Sequence, residues 1–397
     1  MVNNKTIFNF DTIIPRQGTG SSKWDAVEKV FGSRDVLPLW VADMDFATPA
    51  AVTARLLERA QHPIYAYNTQ EEPLYQSFID WVKHRHNWEI EKDWILLAPG
   101  VVPSIILSIL ALSEAGDGVI IQPPVYPPFF ASIKDNDRKI VENPLVVKNG
   151  HYEIDFDDLE QKVADPHNKL LLFCSPHNPV GRVWSKAELE KIYELCQKHQ
   201  VDILSDEIHN DLVYGEPKHI VFASLSTQAA KQSVTFMAAS KTFNIAGLNF
   251  SFIVVPCKRR RALISSWFTK LHINRNNLFG AVATETAYRE GEAWLDSLLQ
   301  YLEGNADTVV EFVRNRLPGV KVVKPEGTFL AWLDFRDYFT NAKELEEFLV
   351  YKARVGLNPG KNFGSQGEGF TRLNFATQRS VLLEGLTRIE KALQAIK

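Results

Sequence analysis

Few features of this chain point to a disulfide framework, a metal site, a membrane or a polyanion. Its 397 residues include three cysteines, Cys174, Cys196 and Cys257, an odd number set far apart. That usage fits a reducing cytoplasm, and neither the cysteines nor the ten histidines stand at metal-ligand spacing. Positive charge is not in excess. The 44 Lys and Arg against 48 Asp and Glu leave a net charge of -4 and a pI near 6.2, which gives no reason to expect nucleic acid. The one basic run, Lys258 to Arg261, is short and reads as a solvated helix start or a partner contact. No apolar run reaches membrane-spanning length, and Met1-Val2-Asn3-Asn4-Lys5 lacks the features of a secretion signal. What remains is an ordinary globular composition, 45% hydrophobic and 23% charged, long enough for a large core and two structural domains.

The informative positions lie at the ends of apolar runs. Ser233-Val234-Thr235-Phe236-Met237 reads as a strand that delivers Ser240 and Lys241 among small residues, Ala238-Ala239-Ser240-Lys241-Thr242-Phe243-Asn244-Ile245-Ala246-Gly247. Near low-dielectric walls a lysine is driven toward its neutral form. A neutral amine can attack a carbonyl and form a Schiff base. A solvated lysine at a strand end is the plainer reading of the same letters.

From about residue 94 strands alternate with helices. Trp94 to Ala98 is an apolar run ending in Pro99-Gly100-Val101-Val102, with a helix predicted over 103–113. Strand, glycine turn and helix N-terminus make an anion site, because first-turn amides point outward unpaired. Gly118 to Ile121 runs into a proline-held loop that presents Tyr126, either as a ring for stacking on a flat ligand or as a core filler. Lys169 to Cys174 ends in Ser175-Pro176-His177-Asn178-Pro179-Val180-Gly181, leaving the Asn178 amide at a turn. After a helix over 185–199, Val201 to Ser205 carries Asp206 at its end, where an unpaired carboxylate is costly and a cationic partner is expected. A capping or salt-bridged structural role is the alternative for Asp206.

These strands predict a doubly wound, mainly parallel sheet of an α/β protein, in which ligands gather beyond the strands' C-terminal ends. Gly100, Tyr126, Asn178, Asp206 and Lys241 all fall there. Before this region, Leu37 to Phe46 is an apolar segment with acids at 43 and 45, read either as a strand or turn lying over something or as a surface cap. Thr48-Pro49 is expected to open a helix as its N-cap. Tyr65-Ala66-Tyr67-Asn68 links two helical patterns, the second over 72–86. Beyond about 285, a long helical pattern over 292–316 and shorter strands predict a small α+β domain. There Arg372, in a short apolar strand, pairs either with a substrate carboxylate or with a structural acid. The expected division is an N-terminal arm contributing to the small domain (1–47), a large domain (48–285) and a C-terminal small domain (286–397).

Several stretches together resemble the fold-type-I pyridoxal-phosphate enzymes of the aspartate aminotransferase superfamily, most of all the cystathionine β-lyase/C–S lyase branch of MalY/PatB type. These are Leu39-Trp40-Val41-Ala42-Asp43-Met44-Asp45-Phe46, Ala98-Pro99-Gly100-Val101-Val102-Pro103, Ser175 to Gly181, Ser205-Asp206-Glu207-Ile208-His209 and Ser240 to Leu248. The resemblance covers nearly the whole chain. It implies a mainly parallel seven-stranded sheet between helices, and pyridoxal 5'-phosphate as cofactor. It assigns the Schiff base and the Cα proton shuttle to Lys241, the pyridine nitrogen to Asp206, the phenolic oxygen to Asn178 and ring stacking to Tyr126. His209 is placed beside the cofactor. The phosphate falls to the amides of Val101 and Val102, to Ser240, and to Tyr67 of the partner subunit in a homodimer with shared sites. Arg372 grips the substrate α-carboxylate, with Ala42 and Asp43 also on the substrate side.

Two positions depart from the aminotransferase pattern. His209 stands where many have Tyr, and Asn249 stands where a phosphate-binding Arg is common. Both agree with the C–S lyase branch. The implied reaction is α,β-elimination of L-cysteine S-conjugates to thiol, pyruvate and ammonia. A class I/II aminotransferase is the alternative, and a non-catalytic regulator on the same scaffold is a further one.

Overall fold

The computed structural model describes residues 8–69, 72–148, 150–273 and 277–396; Met1 to Lys5 therefore lies outside the described residues. Seven strands form the central sheet: β1 (Ile95–Ala98), β2 (Gly118–Ile121), β3 (Lys139–Glu142), β4 (Asn168–Cys174), β5 (Asp202–Asp206), β6 (Ser233–Met237) and β7 (Ser251–Val254). Their order is β1-β7-β6-β5-β4-β2-β3. The pairs β2–β3, β2–β4, β4–β5 and β5–β6 are parallel, whereas β7 runs antiparallel to both β1 and β6. Leu204, Val234, Phe236, Phe252 and Ile253 are fully buried, as expected of strands covered on both faces by helices.

The longer helices include α1 (Ala50–Gln61), α2 (Glu72–His86), α3 (Val101–Leu112), α4 (Lys186–His199), α5 (Leu278–Glu290), α6 (Glu292–Arg316) and α7 (Arg379–Gln394). Helix α4 begins with a complete capping box, Ser185 and Glu188 each bonding the other's backbone N–H. Helix α1 does not begin as expected. Pro49 occupies its N-cap without a side-chain bond, and the Thr48 hydroxyl is buried with no partner among the described residues. A proline at the cap turns the chain by its fixed φ alone, so Thr48 is not the capping residue.

Four further strands, β8 (Lys321–Val322), β9 (Leu330–Asp334), β10 (Asn358–Pro359) and β11 (Phe370–Asn374), form an antiparallel sheet of order β8-β9-β11-β10. Arg372 sits in its middle, opposite Trp332 on one side and Asn358 on the other. Leu37–Pro38 pairs in parallel with Val355–Gly356 as a separate two-stranded sheet, which ties the N-terminal arm to the C-terminal part of the chain. No described helix is long and apolar enough to cross a membrane.

Candidate active site

Strands β4, β5 and β6 run side by side and in parallel, so their C-terminal ends deliver Asn178, Asp206 and Lys241 to one edge. Lys241 follows β6 on a single helical turn, Ala239–Thr242, with Ser240 half-buried beside it. Its Nζ donates to the carbonyl of Ala42 at 2.6 Å. Burial draws its pKa down to about 8, and the Arg372 charge acts in the same direction, against the pull of Asp43 and Asp206. The amine is thus partly neutral near physiological pH, as imine chemistry needs.

Asp206 ends β5 in a buried position. No Lys or Arg among the described residues forms an ion pair with it, contrary to the expected cationic partner. Burial raises its pKa to about 7, opposed by the backbone N–H of Ile208 on Oδ1 at 3.2 Å and by the more distant Lys241 charge. A buried carboxylate without a counter-cation fits a ligand that brings one, such as a protonated pyridine nitrogen. Behind it, Glu207 is fully buried, with His219 at 2.7 Å and the Ser205 hydroxyl at 2.8 Å.

Arg372 is 3% exposed. Its Nη1 donates to Asn178 Oδ1 and its Nη2 to the Trp40 carbonyl, both at 3.1 Å, while its buried Nε has no partner among the described residues. Burial lowers its pKa to about 10. Among the described residues no structural acid neutralises Arg372, and one of its donors is unspent. Asn178 accepts here through its oxygen, and its Nδ2 has no partner among the described residues.

Tyr126 is half-buried and its phenol pKa is raised, first by burial and then by Asp206. His209 is buried with Nδ1 unpartnered among the described residues, and burial with the Lys241 and Arg372 charges drives its pKa down to about 3, so it is neutral. Val101 and Val102 open α3 after Gly100, whose φ of +155° is accessible to glycine and strained for other residues. Their first-turn N–H groups remain unpaired by the helix, which suits a phosphate.

Asp43, whose charge reaches Lys241, pairs its carboxylate with Arg16 at 2.6 Å. One residue stands apart from this cluster. Tyr67 is 87% exposed on the segment between α1 and α2, beside the exposed Ile64 and Tyr65. It borders a cavity of about 480 Å³ with Arg55, Arg59 and Leu278.

Sequence reasoning missed the residues that hold the site together. Thr242 donates to the buried Asp211 at 2.8 Å, and Asp211 also takes Trp81 Nε1 at 3.1 Å and His86 Nε2 at 2.9 Å, both from α2. Burial works to raise the Asp211 pKa, but His86 and Thr242 outweigh it and hold it low. The lysine turn is thereby fastened to α2. Asn244, at a φ of +56°, bonds the backbone of Met44 and Phe46, and Asn374 bonds the carbonyls of Val41 and Asp43. Asn374 lies two residues from Arg372 on one strand, hence on the same face; that spacing was the available signal.

An amine after one strand of the central sheet, a buried carboxylate at the end of the neighbouring strand and a buried guanidinium bonded to Asn178 from the second sheet have the chemistry of an α/β enzyme site for amino acids. Residues 34–389 match the family described as aminotransferase class I and II, and the chain belongs to that family. Within it, the chain is 44% identical over 385 residues to cystathionine beta-lyase PatB of Bacillus subtilis, covering 97% of this chain and all of that one. The solved structure of cystalysin from Treponema denticola, which contains a pyridoxal 5'-phosphate cofactor, superposes with a TM-score of 0.95 at 40% identity, covering 98% of this chain and 100% of that one. The PLP-bound C–S lyase of Staphylococcus hominis gives 0.91 at 34% identity and 98% of each chain. These likenesses put the chain in the MalY/PatB-type C–S lyase branch.

Proposed function

We propose that the chain is a pyridoxal-phosphate-dependent C–S lyase that converts L-cysteine S-conjugates, cystathionine among them, to thiol, pyruvate and ammonia. The carrying observation is half-buried Lys241 with buried Asp206 and Arg372, in which the amine is partly neutral and neither the carboxylate nor the guanidinium is neutralised by the other. When bound, pyridoxal phosphate supplies a conjugated pyridinium that spreads negative charge from the amino acid's Cα.

Lys241 would hold the cofactor covalently, and its free Nζ would take the substrate's Cα proton. Asp206 would keep the ring nitrogen protonated. Asn178 would offer Nδ2 to the phenolic oxygen, with Tyr126 and neutral His209 beside the ring. The amides of Val101 and Val102, the Ser240 hydroxyl and Tyr67 of the partner subunit would receive the phosphate. Arg372 turns its unspent Nε edge to the substrate α-carboxylate, a charge-assisted pairing made stronger by burial. Ala42 and Asp43 bound the pocket on the substrate side. With the Cα proton on Lys241, the Cβ–S bond breaks, thiolate departs, and the released enamine hydrolyses to pyruvate and ammonia.

The same proposal includes a homodimer, supported by the exposed apolar surface of Leu57, Ile64, Tyr65 and Tyr67. It also includes a cytoplasmic location, supported by three unpaired cysteines. A second, smaller domain is supported by the separate four-stranded sheet, although the proposed boundary at 285 falls inside α5 (Leu278–Glu290). The test is pyruvate release from cystathionine with no 2-oxo acid added. A strict requirement for a 2-oxo acid overturns the lyase in favour of transamination.

A further inference from the structure

The segment from Trp40 to Phe46 has no regular secondary structure, yet each of its seven carbonyls accepts a hydrogen bond from a side chain. The Trp40 carbonyl takes Arg372 and Asn358, and that of Ala42 takes Lys241. Asn374 Nδ2 bridges Val41 and Asp43 at 2.5 and 2.6 Å. Asn244 Nδ2 bridges Met44 and Phe46 at 2.9 and 2.8 Å, and Gln378 takes Asp45 at 2.8 Å. A strap outside any ladder must satisfy its backbone groups in some such way. Here, however, the donors are specifically arranged. Two are the site's own cations, and the Asn374 amide grips the carbonyls on either side of residue 42.

The Asn374 amide is itself fixed: it is fully buried, and its Oδ1 accepts the Ala376 N–H at 2.8 Å. Asn244 likewise accepts the Met44 N–H at 3.0 Å on Oδ1. Both amides therefore have little freedom to relax, and the Ala42 carbonyl between them is aimed. It meets Lys241 Nζ, the one strap contact that must break when the amine carries cofactor and re-form when the amine is released.

We propose that Asn374, assisted by Asn244, is a positioning residue for Lys241. It holds the Ala42 carbonyl as a fixed dock for the free amine, so that the nitrogen that moves the Cα proton returns to one point of the pocket. This rests on the proton-carrying role proposed for Lys241. It predicts a loss in proton transfer that is separate from substrate affinity, because Arg372 keeps its bond to Asn178.

Two measurements on Asn374→Ala test it. The first is hydrogen exchange of the strap amides of Asp43, Met44 and Asp45 in cofactor-free protein. The second is exchange of the Cα proton of L-alanine with deuterated solvent by the cofactor-loaded enzyme, alanine having no leaving group. The expected result is faster exchange of the strap amides and a fall in the maximal Cα exchange rate of roughly 10- to 100-fold, the scale of an ångström's misplacement, with KM for alanine within about threefold of wild type, as when only transition-state contacts are lost. Asn244→Ala loosens the same strap from its other end and carries the test should Asn374→Ala not fold. Unchanged strap exchange overturns the proposal, and so does a loosened strap with undiminished Cα exchange. A wild-type enzyme that leaves the Cα proton in place, while the strap amides respond as expected, overturns the role of Lys241 instead.

Discussion

Asn178 and Arg372, 194 residues apart in sequence, meet through Oδ1 and Nη1 at 3.1 Å. The bond joins the residue given to the cofactor's phenolic oxygen with the one given to the substrate carboxylate, across the two sheets. Arg372→Ala should therefore raise KM for amino-acid substrates by about 100-fold or more, and Arg372→Lys should not restore it, since an ammonium cannot span both acceptors and still face a carboxylate. Steady-state kinetics on cystathionine decide it, and an unchanged KM in Arg372→Ala removes the guanidinium from the substrate site.

Lys241→Ala should abolish borohydride fixation of the cofactor to the protein. Mass spectrometry after reduction reads the result directly. Undiminished fixation moves the imine to another lysine.

Asp206 binds its proton more tightly in the folded chain, at a pKa of about 7, than the ordinary carboxyl at 3.8. Between those values the native state holds more protons than the unfolded one, so the cofactor-free protein loses stability as pH rises from about 4 to 7. Asp206→Asn removes that slope. Its melting temperature, without cofactor, should exceed wild type at pH 8 and match it more closely at pH 4. Parallel melting curves for the two proteins across this range would show that Asp206 is not the group responsible.

Mixed dimers address Tyr67. Tyr67→Phe and Lys241→Ala chains, each impaired alone, should regain activity when combined, because one of the two sites then receives both intact residues. No recovery in demonstrably mixed dimers rules out a shared site.

Lys23 is completely buried and pairs with Asp45 at 2.6 Å, and Asp45 also receives Arg16 and Trp24. Burial alone raises the Asp45 pKa, but the Lys23 charge and these bonds reverse that and hold it below its ordinary value. Lys23→Met should cost about 3 kcal/mol, the scale for breaking a buried pair, measured by denaturant unfolding. A loss below about 1 kcal/mol would place the arm's hold elsewhere.

The strand ends were readable because the buried strands are short, mostly apolar runs followed within a few residues by a side chain of different chemistry. Asn178, Asp206 and Lys241 announce themselves by that contrast. Helices over 72–86 and 292–316 follow the expected limits because their apolar periodicity is unbroken. Strand β3 was missed because Lys139-Ile140-Val141-Glu142 edges the sheet and carries charge at both ends. The hold of Asn374 on residues 41 and 43 spans more than 330 positions, and nothing local to either segment records it. The pairing of Asp43 with Arg16 was hidden similarly: an acid near a reactive lysine looks the same in sequence whether its charge is spent or not.

The Trp40–Phe46 strap precedes every strand of the central sheet but is secured by Asn358, Asn374 and Gln378. During synthesis the carbonyls of Met44 and Phe46 meet Asn244 midway along the chain, whereas those of Trp40, Val41, Asp43 and Asp45 must wait for the C-terminal sheet and the residues just after it. The strap therefore gains its full set of bonds only when both sheets have formed.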